Sequence, residues 1–268
     1  MVFRLCNHKK NKGKILCNDC SKNPFIIEQL RDAYAKQGNV TAFKNTYSNL
    51  LPQIRDINTG LFWDKRWKST DTLKFQDGMT KDRINAAAGY LNEKNVKILD
   101  VGAGFGFLEE LLQKRNNISL YANDFSKESI RILKKKYIGN FRLESVYDLK
   151  YPRNFFDVVF ILEVLEHIPV KNVLEVLKNI NKLLKKNGLL IVSIPLNEDL
   201  DKMDSNPNGH VRAYTPEVIK KEIEISGFRI DSYKFFYAFK KHYFIKKTLA
   251  KVFRKWHPNN MLIKAIKT

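Results

Sequence analysis

Between Asp100 and Gly106 the chain reads Asp-Val-Gly-Ala-Gly-Phe-Gly, with glycines at alternate positions. Such a run lets the backbone turn sharply and approach a ligand where a Cβ would intrude. Apolar Ile98, Leu99 and Val101 precede it, and Phe107, Leu108, Leu111 and Leu112 follow at helical spacing, so the turn joins a buried strand to the start of a helix. The free N–H groups and dipole of that helix start suit an electron-rich ligand such as a nucleotide. The dinucleotide fingerprint G-x-G-x-x-G fails, because Phe107 stands where its last glycine belongs. Asp124 ends a second short strand, Ile118 to Asp124, where a carboxylate can hold ribose hydroxyls, or instead cap the helix beginning near Ser126. His167 follows the clearest strand and can accept a proton at neutral pH, or bond to backbone at a helix start.

These residues need a layered scaffold. Phe155 to Leu162 is nearly continuous in apolar side chains, as expected for a parallel strand covered on both faces. A third strand is expected over Phe141–Val146, a helix over Val170–Lys186 stopped by Asn187-Gly188, and a fifth strand over Leu189–Ile194. Thr215-Pro216-Glu217 starts a helix to Ser226, and Phe228–Tyr237 gives a sixth strand. Upstream, Pro24 to about Asn58 reads as two helices broken at Gly38-Asn39, and Asp82–Leu91 as a helix entering the first strand.

The 268 residues allow one α/β domain with an extension, and no apolar run reaches the roughly 18 residues of a membrane span. Three cysteines cannot all pair within one chain, and the basic start has no apolar h-region, so a cytoplasmic location is expected. The net charge of +20 is concentrated towards the ends and points to an acidic partner or surface. Residues 1–22 read as a basic tail in which Cys6, His8, Cys17 and Cys20 fall short of two complete zinc knuckles, so no metal site is assigned. Residues 23–74 read as a helical extension and 75–268 as the main domain. Within it, about 239–257 forms an inserted basic helix with Ile245, Leu249, Val252 and Trp256 on one face. That helix either packs on the domain, lies on an anionic membrane such as the inner membrane surface, or contacts RNA phosphates.

The Asp100-x-Gly102-x-Gly104-x-Gly106 run, with Asp124 after it, resembles motif I and its sequel in class I S-adenosylmethionine (SAM) dependent methyltransferases. Glu163-Val-Leu-Glu166-His167-Ile-Pro169 resembles the segment after strand four in type 11 and type 23 members, including those of quinone biosynthesis. The resemblance implies a Rossmann-like α/β fold: a seven-stranded, mostly parallel sheet with helices on both faces and an antiparallel last strand, Met261–Ile266. It implies SAM as cofactor, contacted by Asp100, Gly102, Ala103, Gly104, Gly106, Asp124, Phe125, Ser145, Val146 and Leu162. Many relatives carry an acid where Ser145 stands, with Asp148 nearby as a substitute. An aromatic segment such as Leu61–Trp67 often contributes a lid, though ordinary packing explains it equally well. His210-Val-Arg212-Ala-Tyr214-Thr-Pro216 resembles a segment bordering the acceptor, making His210 with His167 a candidate catalytic group. The expected reaction is methyl transfer, most simply O-methylation, to a small-molecule, glycan or lipid-linked acceptor. RNA methylation and a non-catalytic SAM-binding module are the alternatives. The D/N-P-P-Y/F turn of DNA amino-methyltransferases is missing, and every cysteine lies at or before residue 20, away from any C5-methylation site.

Overall fold

The computed structural model describes residues 24–46, 56–69, 77–91, 96–196, 198, 208–239, 242–253 and 256–268. The cysteine-bearing tail and half of the 195–214 loop therefore lie outside the described residues. Seven strands, β1 (Val96–Val101), β2 (Ile118–Asp124), β3 (Asn140–Leu143), β4 (Phe156–Leu162), β5 (Leu184–Pro195), β6 (Phe228–Phe236) and β7 (Asn260–Lys267), form one sheet in the order β3-β2-β1-β4-β5-β7-β6. Neighbours from β3 to β5 run parallel, and β7 lies antiparallel to both β5 and β6. The parallel centre reads as continuous apolar sequence because both faces are covered: Val158 to Ile161 of β4 are all buried.

Alternation along β1 and β4 feeds two cores. Ile98, Val158 and Phe160 pack beneath α4 (Gly78–Ala88), α5 (Phe107–Leu112) and α6 (Lys127–Lys136). Leu99, Val101, Val159 and Ile161 face the opposite layer with α7 (Val170–Leu183) and α8 (Pro216–Ile225). The N-terminal helices α1 (Pro24–Lys36) and α2 (Val40–Asn45) extend that second layer through Ala35 and Phe43, turning at Gly38 with φ 68°. Arg31, fully buried on α1, is paired with Glu222 of α8, and the Arg212 guanidinium joins the same carboxylate at 2.8 Å.

Three local expectations need correction. The helix α7 ends at Leu183 rather than Lys186, because Leu184 pairs with Phe156 and the register then shifts around Asn187, whose φ is 61°. Strand pairing there overrides the solvated Lys185-Lys186 continuation of the helical pattern. The strand β3 stops at Leu143, three residues early, placing Glu144 in the turn beyond it. The inserted helix is α9 (Tyr243–Phe253), and it packs by a stripe other than the apolar one. Tyr243 and Ala250 are buried, and Tyr243 and Lys247 both bond Asp82 of α4, while Phe244, Ile245, Leu249, Val252, Phe253 and Trp256 remain exposed.

Candidate active site

At the carboxyl ends of β1, β2 and β4 the sheet opens into a cavity of about 390 Å³. Its floor is the glycine turn. Gly102 and Gly104 take left-handed backbone with φ 75° and 57°; a Cβ on Gly102 would stand 2.6 Å from Val164 and one on Gly104 would project towards Trp67 at 3.4 Å. A side chain at Gly102 would collide with Val164, whereas one at Gly104 would take up open space beside Trp67. Asp124 closes the turn from β2: its Oδ2 accepts the Gly104 N–H at 2.9 Å and its Oδ1 the Ser126 N–H at 2.8 Å. The cap and the ligand roles read for Asp124 are thus compatible, since each oxygen keeps a second lone pair. Burial raises this carboxyl, and the backbone N–H donors partly offset it.

Beneath the turn lie Asp100 and Glu109, both wholly buried. Burial pushes Asp100 well above the carboxylate range and Glu109 up to about 7, with mutual repulsion adding to the Asp100 shift. The pair therefore holds a proton near neutrality.

Asp100, Gly102, Ala103, Gly104, Asp124, Phe125, Ser145, Val146 and Leu162 all line the cavity, as do His167 and His210. Gly106 does not. Its φ of 80° serves the N-terminus of α5, and its Cβ would strike the Tyr137 ring and approach Leu133 Cδ2 at 2.8 Å, so this glycine makes room for α6. Asp148 is exposed and pairs with Lys150 at 2.6 Å, whereas Glu144, one residue before Ser145, lines the cavity. Arg212 and Tyr214 are buried against Glu222 at 2.8 and 3.1 Å, away from the lining.

The other wall comes from upstream of the sheet. The helix α3 (Gly60–Ser69) contributes Trp63, Arg66 and Trp67, and α4 contributes Thr80, Arg83 and Ile84. Trp67 packs edge-on to Phe105 at 4.5 Å and Trp63 edge-on to His167 at 5.0 Å. Asp64, on the same helix, accepts from Ser126 Oγ at 2.6 Å and from the Glu128 N–H at 3.0 Å, tying this wall to the start of α6. Of the two readings given to the aromatic segment Leu61–Trp67, lid or ordinary packing, the first accords with Trp63 and Trp67 lining the cavity.

At the end of β4, Glu163 has a left-handed φ of 58° and pairs with Arg83, Ser193 and Asn260. Burial would raise its carboxyl, but Arg83 and these donors outweigh that and hold it below the ordinary range. Glu166 is the opposite case: fully buried, with no side-chain partner for its carboxylate among the described residues, and raised by burial and by the nearby Glu163 charge. His167 Nδ1 meets the Gly209 carbonyl at 3.1 Å, and burial beside His210 lowers the imidazole to about 4, leaving it neutral at pH 7. His210 Nδ1 meets Glu198 Oε2 at 2.7 Å, and the two imidazoles lie 4.9 Å apart.

A parallel sheet with a glycine turn after β1 and an acid after β2 is shared by several nucleotide-binding families; the family comparison separates them. Residues 73–233, more than half of the chain, match the model of a methyltransferase domain. The chain belongs to that family. It is a class I SAM-dependent methyltransferase, and SAM is its cofactor. An uncharacterized protein of Methanocaldococcus jannaschii is 27% identical over 66% of this chain and 75% of its own length. A ubiquinone biosynthesis O-methyltransferase of Pelagibacter ubique is 35% identical over 37% of this chain, and a tRNA N(3)-methylcytidine methyltransferase of Schizosaccharomyces pombe 28% over 48%. The chain spans only 42% and 56% of the lengths of those two relatives. In fold, the chain resembles a methyltransferase solved in complex with the Trm112 activator from Haloferax volcanii, with TM-score 0.62, 14% identity, and coverage of 80% of this chain and 99% of that one. A SAM-dependent methyltransferase from Archaeoglobus fulgidus gives 0.58 at 18% identity, covering 78% and 100%. The residues suit the cofactor: Gly104 leaves cavity space that a Cβ would take, and Asp124 presents a carboxylate to the cavity at the end of β2, as a ribose-binding site requires.

Proposed function

We propose that this methyltransferase transfers the methyl group to a hydroxyl oxygen of a small-molecule, glycan or lipid-linked acceptor. The observation that carries this reading is the cavity's second half. From the glycine turn it continues beneath Trp63 and Trp67 to His167 and His210, a chamber walled by aromatic rings on one side and imidazoles on the other. Such a chamber suits a compact, largely apolar acceptor whose single hydroxyl meets a polar end.

Bound SAM supplies a methyl group already activated on a sulfonium sulfur. The chain's task is then positioning, which contributes much of the acceleration when two reactants are held in near-attack geometry. Asp124 and the Gly102–Gly104 backbone would hold the ribose side, and Glu144, Ser145 and Val146 would border the adenine. Transfer to a hydroxyl oxygen would break the methyl–sulfur bond, with its electron pair left on sulfur, and would release the hydroxyl proton to a group of this chain. His210, whose Nδ1 lies 2.7 Å from Glu198 Oε2, lines the cavity and is placed to receive it.

The exposed apolar face of α9 beside exposed Lys246 supports an acceptor met at an anionic lipid surface, because α4 packs α9 on one side and lines the cavity on the other. A second reading, RNA methylation, is favoured by the net charge of +20 and the tRNA-modifying relative. Incubating the protein with methyl-labelled SAM and fractionated cell extract, beside Asp124→Ala, separates them. Label in the organic-extractable or glycan fraction, absent with the variant, is expected; ribonuclease-sensitive label would replace the proposal with the second reading.

A further inference from the structure

We infer that Asp100 and Glu109 act together as a charge gate on the cofactor site, giving up a proton to admit the sulfonium of SAM and keeping it against the uncharged sulfur of the product, S-adenosylhomocysteine. Asp100 stands near the end of β1, 4% exposed, and lines the cavity beside the glycine turn. Glu109 lies behind it in the first turn of α5, fully buried and outside the lining. It therefore touches no ligand and acts through Asp100. The inference holds whichever acceptor receives the methyl group.

Three of the four oxygens, Asp100 Oδ1 and both of Glu109, receive no hydrogen bond from another described residue. The two side chains bond each other instead. Ionised carboxylates only accept, so that bond requires a proton on one of them. The groups around the pair do not relieve it of this proton. β2 brings Asp124, a further acid. Tyr137, which follows α6, has its phenol pushed up to about 12 by burial and by Glu110 and Glu109, so it stays neutral. α4 brings Arg83 to the cavity but pairs it with Glu163, and α3 brings Arg66, which donates to Asn208 at 3.0 Å. The end of β4 adds the carboxyls of Glu163 and Glu166 and the neutral His167.

A buried pair in this state discriminates by charge. A cation held in the cavity favours the ionised form of Asp100 and lowers the pair's hold on its proton, which leaves through the cavity to solvent. S-Adenosylhomocysteine shares the amino and carboxylate groups of SAM but has no charge on sulfur, so it exerts less of this pull. Because SAM binds best to the form that has lost the proton, its affinity rises with pH relative to that of the product. Burial places the exchange near neutrality, with Glu109 lifted to about 7. In Glu109→Gln the amide N–H donates to the Asp100 carboxylate directly, so Asp100 stays ionised and the coupling disappears.

The test reads protons and no methyl transfer. Calorimetric titrations in phosphate and in Tris, buffers of unlike ionisation enthalpy, count the protons released on binding at neutral pH. In the native chain SAM is expected to release at least roughly 0.3 proton more than S-adenosylhomocysteine; sustained from about pH 6 to 8, that release raises the SAM-to-product affinity ratio about fourfold. Glu109→Gln should show neither effect, and comparing the two proteins cancels the titrations of the ligands themselves. A measurement that needs no variant is the infrared difference spectrum of the native chain, in which SAM should erase a protonated-carboxyl band that S-adenosylhomocysteine leaves in place. No excess release by SAM, an excess that survives in Glu109→Gln, or a carboxyl band that SAM leaves unchanged overturns the gate. Failure on any of these leaves the acceptor reading untouched, since that reading stands or falls on which extract fraction is labelled.

Discussion

Substituting alanine at Gly104 and at Gly106 is expected to separate two jobs that one motif performs. Both residues hold left-handed backbone, φ 57° and 80°, so each alanine costs about 1 to 2 kcal/mol in conformation alone. Beyond that the sites differ. The Gly104 methyl meets only the Trp67 ring at 3.4 Å, an ordinary contact, but occupies the cavity. The Gly106 methyl collides with Tyr137 and Leu133 between α5 and α6, and overpacking of this kind adds about 1 to 3 kcal/mol. At about 2 to 4 °C per kcal/mol for a chain of this size, Gly106→Ala should melt roughly 4 to 20 °C lower and Gly104→Ala roughly 2 to 8 °C lower. Calorimetric titration with S-adenosylhomocysteine should show the reverse order: a loss of at least about tenfold for Gly104→Ala, equivalent to about 1.4 kcal/mol, and near-native affinity for whatever fraction of Gly106→Ala is folded. A Gly106 variant that melts normally yet fails to bind would refute the division between cradle and packing.

Two other outcomes follow from the same region. Asp124→Ala should weaken S-adenosylhomocysteine by roughly 10- to 150-fold, the range for a lost hydrogen bond to a charged group, and lower stability as the buried Gly104 and Ser126 N–H groups lose their acceptor; equal affinity by titration would remove the ribose assignment. Glu109, lifted by burial from 4.5 to about 7, stabilises the fold while protonated, fully below about pH 4.5 and progressively less as pH rises through 7. Urea midpoints between about pH 4.5 and 8 should therefore fall more steeply for the native chain than for Glu109→Gln, by up to about 3 kcal/mol, and parallel slopes would contradict this.

The glycine turn, the acid after β2 and the apolar β4 were legible because local chemistry and tertiary role coincide there. Asp100-x-Gly102-x-Gly104 demands a left-handed backbone and an open strand end whatever surrounds it. Gly106 was read with its neighbours, since sequence cannot tell a glycine facing a ligand from one facing a tyrosine. The end of α7 was misplaced because pairing of Leu184 with Phe156 is a long-range event. Glu144 was hidden by reading β3 three residues too long, which buried the carboxylate within a strand. Periodicity likewise found the apolar stripe of α9 but not that Asp82 would draw the other side, with Lys247, onto α4. The proximity of Glu166 and His167 to His210 joins residues about 43 positions apart along the chain, and only the fold discloses it.

The position of β7 between β5 and β6 has a consequence for how the molecule is made. β6 reaches the rest of the sheet only through a strand that follows it in the chain, with Leu189 of β5 paired to Ile266 and Phe228 of β6 paired to Lys267. During synthesis from the N-terminus, β5 and β6 both emerge before their shared partner does. For that interval the Leu190-Ile191-Val192 edge has no strand to close it, and such an edge is a template for pairing with other chains. Yield in the cell should thus depend on how quickly residues 260–267 arrive, so slowing translation just ahead of them would promote aggregation before the sheet can close.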